Sequence, residues 1–334
     1  MEKLITGIPK AEAHLHLESS TMPKTVIWTS QKNNIQLPFK TEDEMLKYLK
    51  SKTTSLTEFL ICDRLVNSCL IYEEDYARAV YDLAEEGYNQ NIIYREIFLD
   101  YPLNQVRGVS LETYMNGCEK GRKKAQEDFG VEIVFIPCVD RTVSSESSLQ
   151  FVKDLLKYRD IIDGLGMDCD EKNYPATNHK EAFELAKENS LFLTAHCGED
   201  LGYESVIEAL DSLKLDRLDH GIRAVESKEL MRRLADEKIM LTTCPYANID
   251  MTIYKDLSKH PLRELMANNV VCSINSDDPP YATDLINTLR ECITAMNLTE
   301  KEVVSLLRNC FEYSIKGQRY LEKFDKWIKE NCEE

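Results

Sequence analysis

Positive charge is scarce in this chain. Its 334 residues carry 41 Lys and Arg against 58 Asp and Glu, a formal net charge of −17. That argues against a general affinity for nucleic acid or an anionic membrane, because both ask for a basic surface. No apolar run approaches the roughly 20 residues of a membrane-spanning helix. Residues 1–10 have no basic stretch followed by a long apolar one, so no secretory signal is read there. The eleven cysteines follow no paired spacing, and an odd number in a chain of this size argues for free thiols rather than a disulfide framework. The expected compartment is the cytoplasm, and the expected partner a small molecule. Internal repeats, low-complexity linkers and a Gly-rich phosphate loop are also missing.

Histidine is the rarest informative residue, six in all, and two of them stand in Lys10-Ala11-Glu12-Ala13-His14-Leu15-His16-Leu17-Glu18. Alternate residues of a strand project to one side. Read as a strand, 10–18 places two imidazoles together.

Residues 21–90 follow with apolar positions at three- and four-residue spacing in 22–32, 41–50, 56–69 and 73–89, which predicts helices. The clearest stripe is Tyr76, Ala79, Val80, Leu83 and Ala84. Beyond it, strand-like runs at 91–98, 131–137, 160–167, 191–196, 217–220, 239–244 and 270–275 alternate with helical stretches at 111–128, 145–157, 180–189, 203–212, 228–236, 261–268 and 281–296. From Thr299 the tail reads as charged helix. Eight short apolar strands alternating with helices predict an α/β chain folded as a TIM (β/α)8 barrel. The expectation is a single domain over 1–334, with a helical insertion at about 21–90 over or beside the barrel mouth and extra C-terminal helices. A doubly wound sheet would carry a Gly-rich loop after its first strand, which this chain lacks.

Barrel enzymes build their sites at the carboxyl ends of the strands. There the chain places His14 and His16, then His196-Cys197-Gly198-Glu199, then Asp219-His220-Gly221, then Asp277-Asp278-Pro279. Taken singly, each has a plain structural explanation: a surface pair, a solvated helix start, a tight turn, a capped helix. Together, four of six histidines converge on one mouth, leaving His179 and His260 for helix or loop surface. Cys197 and Cys244 read as buried thiols. Three imidazoles and a carboxylate suit one Zn2+ per chain, so His14, His16, His196 and Asp277 are the expected ligands. A zinc-held water ionises near ~pH 7. His220 is placed to orient that water or take its proton. Glu199 serves as general acid if a closed apolar pocket keeps it protonated. Asp278 can accept a hydrogen bond from a substrate N–H.

The order of Pro9 to Glu18, Thr194-Ala195-His196-Cys197-Gly198-Glu199, Arg217-Leu218-Asp219-His220-Gly221 and Ser273 to Pro279 closely resembles the adenosine/adenine deaminase family, over about residues 8–310. The resemblance implies a zinc-dependent hydrolase in a TIM barrel that releases ammonia from C6 of an adenine ring. It implies the same four ligands, Glu199 as proton donor to ring N1, His220 as partner of the attacking hydroxide and Asp278 at ring N7. It adds His16, Glu18 and Asp170 as substrate contacts. Glu18-Ser19 stands where the adenosine branch usually has Asp-Gly, and Glu is commoner there in the adenine branch. Residues 95–100 and 107–109 also look like that branch, whereas the loop at 166–171 matches neither. The expected reaction is adenosine or 2′-deoxyadenosine to inosine or 2′-deoxyinosine. Free adenine to hypoxanthine, or an N9-modified adenosine, is the alternative. An amidohydrolase that bridges two metals with a modified lysine on strand four finds no lysine in 161–167. A non-catalytic binding relative would be expected to have lost a ligand or Glu199, and all are present.

Overall fold

In the computed structural model, which describes residues 1–52 and 56–332, eight strands follow one another around a single sheet in chain order, every neighbouring pair parallel. They are β1 (Lys10–Glu12), β2 (Ile92–Leu99), β3 (Glu132–Asp140), β4 (Gly164–Asp168), β5 (Phe192–Cys197), β6 (Arg217–His220), β7 (Leu241–Thr243) and β8 (Cys272–Ile274). All eight residues of β2 are buried, as expected for a strand covered on both faces. A parallel bridge between Leu15 and Asp277 joins the segments that leave β1 and β8. The TIM barrel read from the alternating pattern is thus observed.

Element ends differ from the sequence reading where side chains take over the backbone's partners. β1 is only three residues long, because the Ala13 N–H donates to the Asn275 side chain at 2.9 Å instead of continuing the ladder. His14 and His16 therefore lie on an extended segment just past the strand. The helix expected from 281 begins at Leu285, where the Asp284 carboxylate accepts from the Asn287 N–H at 2.8 Å, an N-cap that sets the start. Helices Glu2–Gly7, Tyr101–Gln105 and Pro245–Asp250 are too short to leave a periodic signature.

Between β1 and β2 run helices Pro23–Lys32, Glu42–Lys52, Leu56–Asn67 and Glu73–Asn89. The expected insertion also takes in 53–55, and the expected domain 333–334, both outside the described residues. Val26, Phe39, Met45, Leu49, Cys62, Val66 and Cys69 give this region a small core of its own, with Tyr281 packed against it. Helix Glu73–Asn89 instead buries its Tyr76, Ala79, Val80, Leu83 and Ala84 stripe in the main core.

Buried ion pairs brace the barrel. Arg95, fully buried, donates from Nε to Glu12 at 2.9 Å, from one terminal nitrogen to Glu86 at 2.6 Å and from the other to the Leu83 carbonyl at 2.6 Å. Arg217 pairs with Glu96 and lies 3.3 Å from Asp219. Removing one member of such a set strands a buried charge. Arg95→Met is expected to cost about 3–5 kcal/mol, read as a lower urea midpoint at unchanged slope; a loss under about 1 kcal/mol would mean Glu12 and Glu86 find other partners.

Candidate active site

At the carboxyl ends of the strands the expected side chains meet around one cavity of about 160 Å³, lined among others by His16, His196, Glu199, His220, Asp277 and Asp278. That is roughly ten times the space one ordered water needs. Phe59 and Leu60 from helix Leu56–Asn67, with Leu103, Met251 and Ile253, supply apolar wall.

The tautomers of three histidines follow from their partners. His16 Nδ1 faces the Asp100 carboxylate at 2.9 Å, so it donates. His196 Nδ1 donates to the Met167 carbonyl at 3.0 Å. His14 Nδ1 lies 2.8 Å from the Thr242 hydroxyl, which itself donates to Asp219 at 2.9 Å and so accepts from the imidazole. Each Nδ1 carries a hydrogen, so in the neutral ring each Nε2 offers a lone pair.

Those lone pairs face one another. His16 Nε2 and His196 Nε2 are 3.1 Å apart, and His14 Nε2 is buried with no hydrogen-bond partner. Asp277 Oδ1 lies 3.2 Å from His14 Nε2 and 3.7 Å from His16 Nε2. Acceptors gathered this closely repel unless a proton or a metal cation lies among them. Donors of a tetrahedral ion with bonds of about 2.0–2.1 Å are about 3.3 Å apart, close to these three separations. The donor set therefore fits a divalent metal, with Asp100, Met167 and the Thr242–Asp219 pair orienting the imidazoles. Backbone strain accompanies the arrangement: His220 and Asp277 adopt φ of 59° and 67°, a region that costs a non-glycine residue about 1 kcal/mol or more.

Burial holds His14 and His196 well below the usual imidazole range, and their histidine neighbours add to it. For His16 burial acts the same way, but the carboxylates of Asp100, Asp278 and Asp277 together outweigh it and raise the pKa. Burial pushes His220 down to about 4. Glu199 is raised well above the usual carboxylate range by burial, with Asp277, Asp200, Glu171 and Asp278 adding to it. Its Oε2 lies 3.6 Å from His220 Nε2, which is in turn 3.8 Å from Asp277 Oδ2. Burial and the neighbouring Asp277 push Asp278 up to about 7, and its Oδ1 accepts from the Ser19 hydroxyl.

Two expected substrate contacts sit differently. Glu18 does not line the cavity: its carboxylate accepts from the Asp100 N–H at 3.1 Å, Asn104 at 2.7 Å and Tyr114 at 2.7 Å, fixing the segment that holds His16 in place. Asp170 lines the cavity, yet its carboxylate accepts from the Lys172 N–H and the Asn173 amide, closing its own turn. His179 and His260 are both buried rather than on the surface: His179 Nε2 meets the Arg141 carbonyl at 3.0 Å and His260 Nε2 meets Asn248 Oδ1 at 3.2 Å.

Other site residues escaped the sequence reading. Asp63 reaches the cavity from helix Leu56–Asn67. Asp100 and Asp168 stand at the ends of β2 and β4 and could have been found by the same strand-end rule that found His196. Glu171 accepts from the backbone N–H groups of Gly198, Glu199, Asp200 and Leu201 and from the Ser205 hydroxyl, which shapes the turn carrying Glu199. Gly198 makes that turn with φ of 62°.

The adenosine deaminase family model matches residues 9–325. The chain belongs to the adenosine deaminase family. It is 33% identical over 334 residues to an adenine deaminase of Psychrobacter cryohalolentis, covering 98% of this chain and 100% of that one. The crystal structure of an adenine deaminase from Arthrobacter aurescens superposes with a TM-score of 0.91 at 30% identity, over 97% of this chain and 100% of that one. An amidohydrolase from Burkholderia ambifaria, solved with bound Zn, shares the fold at 21% identity with a TM-score of 0.90, over 98% of this chain and 93% of that one. The protein is a hydrolase acting on carbon–nitrogen bonds, as its family and these relatives establish. The relatives favour adenine over the nucleoside that the motifs first suggested. Among the described residues, no helix is long and apolar enough to cross a membrane.

Proposed function

We propose that the protein is a zinc-dependent adenine deaminase, converting adenine and water to hypoxanthine and ammonia. The observation that carries the reading is Glu199: a carboxyl raised well above its ordinary range, across one cavity from His16, His196 and Asp277, with His14 against Asp277. A carboxylic acid facing a cation site is the pairing that addition to an electron-rich ring needs, with a proton supplied on one side and a nucleophile on the other.

His14, His16, His196 and Asp277 would hold the metal. When bound, zinc supplies the Lewis acidity that brings a water's ionisation towards neutrality. The chain's own residues do the rest. His220, kept neutral by burial, takes the proton as the water oxygen bonds to C6. Glu199 gives its proton to N1, so the ring electrons move there rather than onto a bare nitrogen. The C6–N bond then breaks: the amino group leaves as ammonia with the proton His220 took, the hydrogen of the C6 hydroxyl passes to the Glu199 carboxylate as C6=O forms, and the product keeps the hydrogen on N1. Asp278, pushed up to about 7, is held by Ser19 and donates in its acid form to N7. The apolar residues Phe59, Leu60, Leu103, Met251 and Ile253 cover the ring faces and exclude water.

Adenine is preferred over adenosine for two reasons. The adenine deaminases at 30–33% identity span essentially the whole chain. Glu18, which could have met a ribose, has both oxygens committed to Asp100, Asn104 and Tyr114. A panel of adenine, adenosine, 2′-deoxyadenosine and an N9-alkyl adenine tests the assignment by loss of purine absorbance with ammonia release. Adenine should exceed every N9-substituted compound in kcat/KM by at least roughly 10²-fold. Equal or better turnover of adenosine would restore the nucleoside reading.

A further inference from the structure

Asn248 and His260 lie behind Glu199, away from the metal donors. Asn248, fully buried on helix Pro245–Asp250 after β7, places its Nδ2 2.8 Å from Glu199 Oε1. Its Oδ1 lies 3.2 Å from His260 Nε2, and His260 Nδ1 lies 3.2 Å from the Leu262 backbone N–H.

The direction of this row is set at its far end. A backbone N–H can only donate, so His260 Nδ1 is an acceptor and, in the neutral ring, Nε2 carries the hydrogen. That hydrogen needs an acceptor, which turns the Asn248 carbonyl oxygen towards His260 and the amide NH2 towards Glu199. Glu199 Oε1 must then accept. A protonated Glu199 can therefore carry its hydrogen only on Oε2, the oxygen that faces His220 and the cavity.

We propose that Asn248 and His260 are positioning residues that confine the Glu199 proton to the oxygen facing the substrate. The inference rests on the deaminase reading, in which that proton goes to the ring. Without the row, the acid proton could sit on either oxygen, and the molecules holding it on Oε1 would be idle. Burial, aided by the nearby His220, pushes the His260 pKa down to about 3, so the ring stays neutral and the row keeps its direction over the working pH range. The charged and titratable groups around Glu199 itself are His220, Asp277, Asp278, Asp200, Glu171 and Cys244, with Arg223 donating to its backbone carbonyl at 3.4 Å. Around His260 they are His220 and Tyr254, whose ring lies 5.5 Å away.

Three variants of the metal-loaded enzyme test it, with kcat, KM, metal content and the pH profile of kcat/KM measured on adenine. Asn248→Asp sets a carboxylate against Oε1. The Glu199 proton is then drawn to the wrong oxygen and held more tightly. The expected result is a kcat lower by roughly 10–10²-fold, KM within about threefold, and a basic limb displaced to higher pH. His260→Leu frees the Asn248 amide to turn and should lower kcat about 5–20-fold. His260→Gln, whose amide can still donate to Asn248, should stay within about threefold of wild type. The proposal is overturned if Asn248→Asp and His260→Leu leave kcat and the basic limb unchanged. It is equally overturned if both lose activity only in step with metal, or if His260→Gln is as impaired as His260→Leu. A wild-type enzyme inert on adenine overturns the deaminase reading itself. An active wild type whose Asn248→Asp form is unaltered sinks only the positioning role.

Discussion

Glu199→Gln is expected to keep its metal and lose roughly 10²–10⁴-fold in kcat, the usual worth of a positioned general acid. The substitution is nearly isosteric, and the Gln carbonyl oxygen can still accept from Asn248, so the turn held by Glu171 should not move. What disappears is an acidic hydrogen on the atom facing the cavity. In the wild-type enzyme the same group should shape the pH profile. Burial raises the Glu199 pKa well above the usual carboxylate range. The acid form, and with it kcat/KM, is present below that raised pKa and lost as pH rises through it. The Gln variant should lack this basic limb. Near-normal turnover, or a limb that persists in the variant, would assign the proton donor elsewhere.

His16→Ala carries the second large effect: metal and activity should vanish together. His16 Nε2 lies 3.1 Å from His196 Nε2 and 3.7 Å from Asp277 Oδ1, so it shares the vertex at which the donors meet. Removing it also strands Asp100, whose Oδ2 takes the His16 Nδ1 hydrogen at 2.9 Å. Metal content should fall below about a tenth of an equivalent, with adenine turnover down by more than about 10³-fold. Asp100→Asn should be milder, since it only loosens the ring's orientation; a loss of about 10–100-fold in metal affinity is expected. A fully loaded, active His16→Ala enzyme would remove this residue from the ligand set. Equal damage from both substitutions would mean that Asp100 does more than orient.

Both predictions rest on residues that could be read from the chain alone, because a barrel sends the ends of its strands to one place. His196, His220 and Asp277 needed no long-range information beyond the alternation of strand and helix. The barrel itself was legible for the same reason. The contacts that tune the site were not. Asn248 and Glu199 are 49 residues apart and His16 and Asp100 84 apart, and no local pattern announces such a hydrogen bond. His260 read as a surface histidine because only its neighbours in space bury it. Glu18 looked like a group that could meet substrate until its three donors accounted for its carboxylate. The preference for adenosine came from the motif set, which both branches share. The relatives that span the whole chain are adenine deaminases, and the free base is therefore the substrate proposed.

Anomalous diffraction at the zinc edge, on crystals of the active enzyme, tests the site most directly. One peak per chain is expected, about 2.0–2.2 Å from Nε2 of His14, His16 and His196 and from an Asp277 oxygen. A peak held by the Cys244 sulfur, or one seated between Asp100 and Asp168, would contradict it, as would an active crystal with no peak at all.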